Sequence, residues 1–145
     1  MANRAVITTR ENYENNGIGV YLHWCGSRSY VESFLRYCEL KKYRYPESDP
    51  YGWAYLCHVL TNYFGDGLSV GVDVVNNLNC ANGDNGVYII KQWRIVGREL
   101  CERKDEDEFD PESFLHVIDG HMPPSEQLYR IRPVRTWGED PDDAS

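Results

Sequence analysis

A helical stripe of apolar residues constrains this chain more than any other feature. Trp53, Leu56, Cys57, Leu60 and Phe64 recur at i, i+3, i+4, i+7 and i+11, the spacing that lines up side chains on one side of an α-helix. Asp49-Pro50 precedes the stripe as an N-cap followed by a first helical position, and Gly65 and Gly67 close it. The predicted helix, about 50–64, must bury that side against another surface. Two segments of period 2 offer one. Val20, Leu22 and Trp24 alternate with Tyr21 and His23, and Val70, Val72 and Val74 alternate with Gly71 and Asp73.

The other elements follow from similar signals. Residues 4–9 read as a strand joined to a second, 19–24, by the polar loop RENYENNGI. Ser29 with Glu32 forms a capping-box pattern, and Val31, Phe34, Leu35 and Cys38 carry a helix on to about Tyr43. An Asn-rich hairpin connection turns at Asn85-Gly86, and a strand over 87–96 bulges or bends at Lys91. Asp110-Pro111-Glu112 opens a third helix with Phe114, Leu115 and Ile118 inward, and 128–137 reads as an edge strand interrupted by Pro133. This order is not a strict βαβα alternation. It predicts one α+β domain over 1–137, with an antiparallel sheet of four to five strands and two to three helices packed on one face. Trp24, Trp53, Phe34 and Phe64 are expected in its core. A chain of 145 residues can support such a core without metal or disulfide staples.

Charge is unevenly placed. The chain has 15 Lys and Arg against 23 Asp and Glu, a net −8. Segment 102–110 holds six acids and two bases, and 139–145 holds four acids and no base, so the remainder is neutral. The loop and the tail, 138–145, therefore carry the acidity, and a partner with a basic surface would meet Asp105, Glu106, Asp107, Glu108, Glu139 and Asp140. Direct binding to duplex nucleic acid, which needs a concentrated Lys/Arg footprint, is disfavoured. No apolar run approaches membrane-spanning length and no signal peptide opens the chain, so the cytoplasm is the expected compartment. The five cysteines are irregularly spaced, with no CxxC pair, and read as reduced thiols. His23, Cys25, Cys57 and His58 match no metal-ligand spacing, and no metal or cofactor is expected.

The most site-like stretch is His23-Trp24-Cys25-Gly26-Ser27-Arg28-Ser29. A strand there runs through small residues into a helix N-terminus, where free N–H groups favour an anion. Ser27, Arg28 and Ser29 would add hydroxyls and a positive charge, and Tyr21 and His23 would stack on or hydrogen-bond a nucleotide-type ligand. The competing reading is plain helix capping. Cys25 at such a terminus, with His23 as base, would suit a small thiol enzyme. An exposed Tyr-rich surface would speak for a binding role, against the reading of scattered amphipathic tyrosines, while the basic cluster Arg28, Arg36, Lys41, Lys42 and Arg44 reads as a solvated helix face or as the rim of an anion pocket.

The strings GVYLHWCGSRSYVESFLRYC, DPYGWAYLCHVL and GDNGVYIIKQW resemble small proteins encoded by bacteriophages and prophages of gut-type bacteria. The resemblance covers about 17–98 and brings no catalytic residues with it. It implies a phage accessory protein of the counter-defence, anti-CRISPR-like type, acting in the host cytoplasm. The expected function is a non-enzymatic inhibitor of a bacterial defence component by protein–protein contact. The alternatives are a sponge for a nucleotide immune signal and a small Cys/His enzyme.

Overall fold

The computed structural model describes residues 2–65, 69–103 and 108–129. In chain order its elements are β1 (Ala5–Thr8), α1 (Arg10–Asn15), β2 (Ile18–Leu22), α2 (Arg28–Leu40), α3 (Pro50–Phe64), β3 (Val70–Val74), β4 (Val87–Lys91), β5 (Arg94–Glu99) and α4 (Pro111–His121). All four residues of β1 are buried, as suits an uncharged run covered on both faces. It lies in the middle of a five-stranded sheet of order β3-β2-β1-β4-β5.

The α+β class stands, with a correction to the strand directions. Three pairings are antiparallel, but β1 and β4 run parallel. The cause is the connection 75–86, which carries the chain from the far edge back to the starting end of β1. Leu78 and Cys80 of that connection pack against Val6, Val87 and Ile89 on one face. The other face holds the main core, where Ala5, Ile7, Val20, Leu22, Tyr88 and Ile90 meet the inward sides of α2, α3 and α4.

Helix α3 matches its predicted bounds. Asp49 accepts a hydrogen bond from Tyr51 N at 2.9 Å, and Gly65 ends the helix in the left-handed conformation. Phe34 and Trp53 are buried and Phe64 partly so, but Trp24 is 41% exposed, because β2 stops at Leu22 and the chain leaves the sheet before reaching it. Helix α2 starts at Arg28 with Ser27 as N-cap, so no capping box forms at Ser29; Glu32 pairs with Arg28 instead.

Two expected segments fold differently. RENYENNGI contains α1, capped by Thr9 Oγ1 at 3.2 Å from Asn12 N and closed by Asn16 at φ 56°. A six-residue helix whose apolar contact with the core is made by Tyr13 is too short to show a period. Residues 87–96 form a hairpin rather than one strand. Gln92 and Trp93 make the turn at φ 52° and 60°, and the register shift lies at Ile89/Ile90. The broken alternation at Lys91 marks the place, but neither Gln92 nor Trp93 is a turn residue, and a long-range contact holds them: the Trp93 indole is buried and donates from Nε1 to Tyr43 O at 2.9 Å.

Leu60 is fully buried beneath the sheet. Leu60→Asp would place an unpaired carboxylate there, and urea unfolding should register a loss of at least about 3 kcal/mol.

Candidate functional site

The sheet face away from α2 and α3 carries a polar network. Tyr21 and the residue two beyond it, His23, share that face; the tyrosine hydroxyl lies 3.0 Å from His23 Nδ1. Nearby, Asp84 is 6% exposed and gathers two arginines. Its Oδ2 accepts from Arg4 N at 3.1 Å and Arg4 Nε at 2.9 Å, and its Oδ1 accepts from Arg103 Nη2 at 2.8 Å. Burial pushes the Asp84 carboxyl up, but the hydrogen bonds from Arg4 and the charge of Arg103 outweigh it and hold the group below its ordinary value. The Asn-rich loop is thus more than a hairpin turn: Asn82 Oδ1 accepts from Asp84 N and Gly86 N, at 3.0 and 3.1 Å.

The five residues expected at a ligand pocket fall into two groups. Tyr21 and His23 bind each other on the sheet. Ser27 and Ser29 are buried at the start of α2, and Arg28 is paired through Nε with Glu32 at 2.6 Å. Ser29 Oγ accepts from Phe109 N at 3.1 Å, and Ser33 Oγ donates to Pro111 O at 3.1 Å. The 109–111 segment therefore lies against the first turns of α2, where an anion was expected. Arg28 instead borders a cavity of about 620 Å³ between α2, β5 and the start of α4, floored by Leu35, Trp93 and Ile95. Arg36 links Glu39 to Glu112 along it, and Arg94 also meets Glu39.

Cys25 and His23 are turned to different surroundings. The Cys25 thiol packs against the main core and is pushed up by burial, a shift only partly countered by a hydrogen bond from Tyr63. That direction is opposite to the one a nucleophilic thiol needs. His58 meets Glu126 Oε1 at 2.9 Å, and among the described residues no group of three or more metal-ligating side chains comes together. No described helix is long and apolar enough to cross a membrane.

Of the residues expected to meet a partner, Glu108 is exposed, while Asp105, Glu106, Asp107, Glu139 and Asp140 lie outside the described residues, as do 130–137 of the expected edge strand. Both ends of the acidic segment are nonetheless tied down. Arg103 also donates to Asn3 Oδ1 at 2.8 Å, and Phe109 packs edge-on to Tyr30 with centroids 4.9 Å apart.

Sequence reasoning did not find the cleft near the hairpin turn. Among the described residues, Glu39, Lys42, Tyr43, Arg44, Tyr45 and Trp93 line its volume of about 320 Å³. The sequence signal was the interleaving of cations and rings in Lys41-Lys42-Tyr43-Arg44-Tyr45, its cations read above as a helix face or the rim of an anion pocket elsewhere. Trp93 joins it only through the fold. No known protein family matches this chain, and no curated protein or solved structure shows significant similarity to it.

Two measurements check this description. Asp84 has a depressed native pKa, so its stabilisation is complete above its unfolded value near 4 and is lost as pH falls toward the native one. Asp84→Asn should cost about 1–3 kcal/mol at pH 7 and flatten the stability profile below about pH 4. In timed alkylation of the native protein at pH 7.5, read by peptide mass spectrometry, exposed Cys101 should react well ahead of Cys25 and Cys38.

Proposed function

We propose that this chain is a non-enzymatic binding protein of phage origin that inhibits a component of bacterial defence by protein–protein contact, presenting its acidic segment to a basic surface of that target. The supporting observation is the pinning of the segment's two ends. Arg103 is held by Asp84 and Asn3, and Phe109 by Ser29 and Tyr30. Asp105, Glu106, Asp107 and Glu108 lie in sequence between these posts. Fixing the ends of a short loop lowers the conformational freedom it surrenders on binding. Concentrated negative charge steers encounter with a basic partner and makes the association rate sensitive to salt. Glu139 and Asp140 in the tail add to the same charge. The resemblance to phage accessory proteins supplies the class of target.

The test is capture from phage-infected bacterial lysate with cross-linking, using wild type and a variant carrying Asp105→Asn, Glu106→Gln, Asp107→Asn and Glu108→Gln. The reading requires that a captured protein cross-link within 102–110, that the variant associate more slowly with the purified target, and that its salt dependence be flatter. A target bound equally fast by both forms at every salt concentration would leave the acidic segment a solubilising feature only.

A further inference from the structure

Two breaches of local backbone preference meet at one cleft. Helix α2 closes with Lys42 N donating to Glu39 O at 3.0 Å and Tyr43 N to Cys38 O at 3.1 Å. The residue at the centre of this closing motif is left-handed and ordinarily glycine; here it is Lys42, at φ 60°. The two-residue turn between β4 and β5 demands the same conformation twice and ordinarily takes Asn-Gly; here it takes Gln92 and Trp93. Side chains in this region are disfavoured and tend to persist where function retains them. Lys42 and Trp93 both line the 320 Å³ cleft, with Glu39, Tyr43, Arg44 and Tyr45.

The lining has a definite chemistry. Tyr45 is 38% exposed, and no other ring among the described residues stacks on it. Tyr43 is backed by Tyr55, stacked at 4.4 Å and 11°, and forms a stiff wall. Gly52 lets α3 lie directly under this segment, since a Cβ there would sit 2.5 Å from Pro46 N. Lys42 is exposed and has no carboxylate partner among the described residues. Arg44 is held by Asp49 at 3.1 Å. Glu39 is gripped on separate oxygens by Arg36 and Arg94, at 2.6 and 3.3 Å, which fixes it as an acceptor at the cleft wall. An inorganic anion would leave Tyr45 unused, and a neutral aromatic would leave Lys42 unused.

We propose that this cleft binds a nucleoside phosphate. The base stacks on Tyr45, the phosphate is met by Lys42 and Arg44, and an N–H edge of the base donates to Glu39. None of the described residues of the acidic segment lines the site, so it goes beyond the protein-contact reading and is tested independently of it. The same chemistry occurs in a free nucleotide and in single-stranded nucleic acid. The net −8 opposes a long polyanion, so the free nucleotide is the expected source.

Isothermal titration of the full chain with AMP, GMP, UMP, inorganic phosphate, adenosine and a single-stranded octanucleotide tests this. At least one mononucleotide should saturate a single site per chain and bind at least about tenfold more tightly than phosphate or the nucleoside alone. Lys42→Gly relieves the left-handed backbone, so it should melt at or above the wild-type temperature yet lose about tenfold in affinity. Tyr45→Ala, on an exposed ring, should weaken binding by a similar factor and gives a reading independent of α2. Tighter binding of the octanucleotide, lost in the same two variants, would uphold the site and assign single strands as its source. Absence of saturable binding by every nucleotide probe at millimolar concentration, or wild-type affinity in both variants, would overturn the proposal.

Discussion

Strand β1 is paired along both edges and covered on both faces, so every layer of the molecule is built against its four residues. Its partner β2 leads into α2, and its parallel partner β4 receives the chain only after two helices and another strand have been laid down. This long-range pairing explains why the 75–86 connection must cross the sheet, and why Val6, Val87 and Ile89 form a second, smaller core beneath it. Apolar burial on both sides supplies the main driving force there. The backbone groups of such a strand have no access to water and are satisfied by its neighbours.

Two buried carboxylates then attach what the sheet does not hold. Asp84 gathers donors from Arg4 and Arg103, joining the entry to β1, the approach to β4 and the exit from β5. Gly86 belongs to the same junction, since a Cβ there would lie 2.2 Å from Glu99 O. Asp119 of α4 accepts from the Tyr37 hydroxyl at 2.6 Å and from Leu128 N and Tyr129 N, tying α4 to α2 and the last described residues to α4. Each side chain collects several donors, which offsets the cost of burying its charge. The function proposed for the acidic segment depends on the first of these junctions, because Arg103 is one of its posts.

Of the six left-handed residues other than glycine among the described residues, three, Lys42, Gln92 and Trp93, lie around the end of α2 and the β4–β5 turn, while Asn16, Cys25 and Leu100 lie elsewhere. Buried Trp93 holds the turn from inside, and Glu47 meets Gln92 N from outside at 2.8 Å. Stability elsewhere in the core tolerates such positions.

The amino-acid sequence by itself determined what short-range physics can specify. It set the bounds of α3 through the Asp49 cap, Pro50 and the closing Gly65. It set the inward sides of α2 and α4, the two faces of β2 and the α+β class that their order implies, but not the burial of β3, an edge strand whose Val72 is exposed. The same sequence left Gln92-Trp93 unreadable as a turn, because neither residue prefers the left-handed conformation and the contact that holds it, Trp93 Nε1 to Tyr43 O, spans fifty positions. It also left open whether Tyr21, His23, Ser27, Arg28 and Ser29 converge. They separate because alternation sends Tyr21 and His23 to one side of the sheet, while Ser27 and Ser29 are buried at the start of α2. Only the tertiary structure brought Trp93 to the cleft beside Lys42 and Tyr45 and set Asp84 between two arginines, since those partners are distant in the chain and meet only after the sheet has formed.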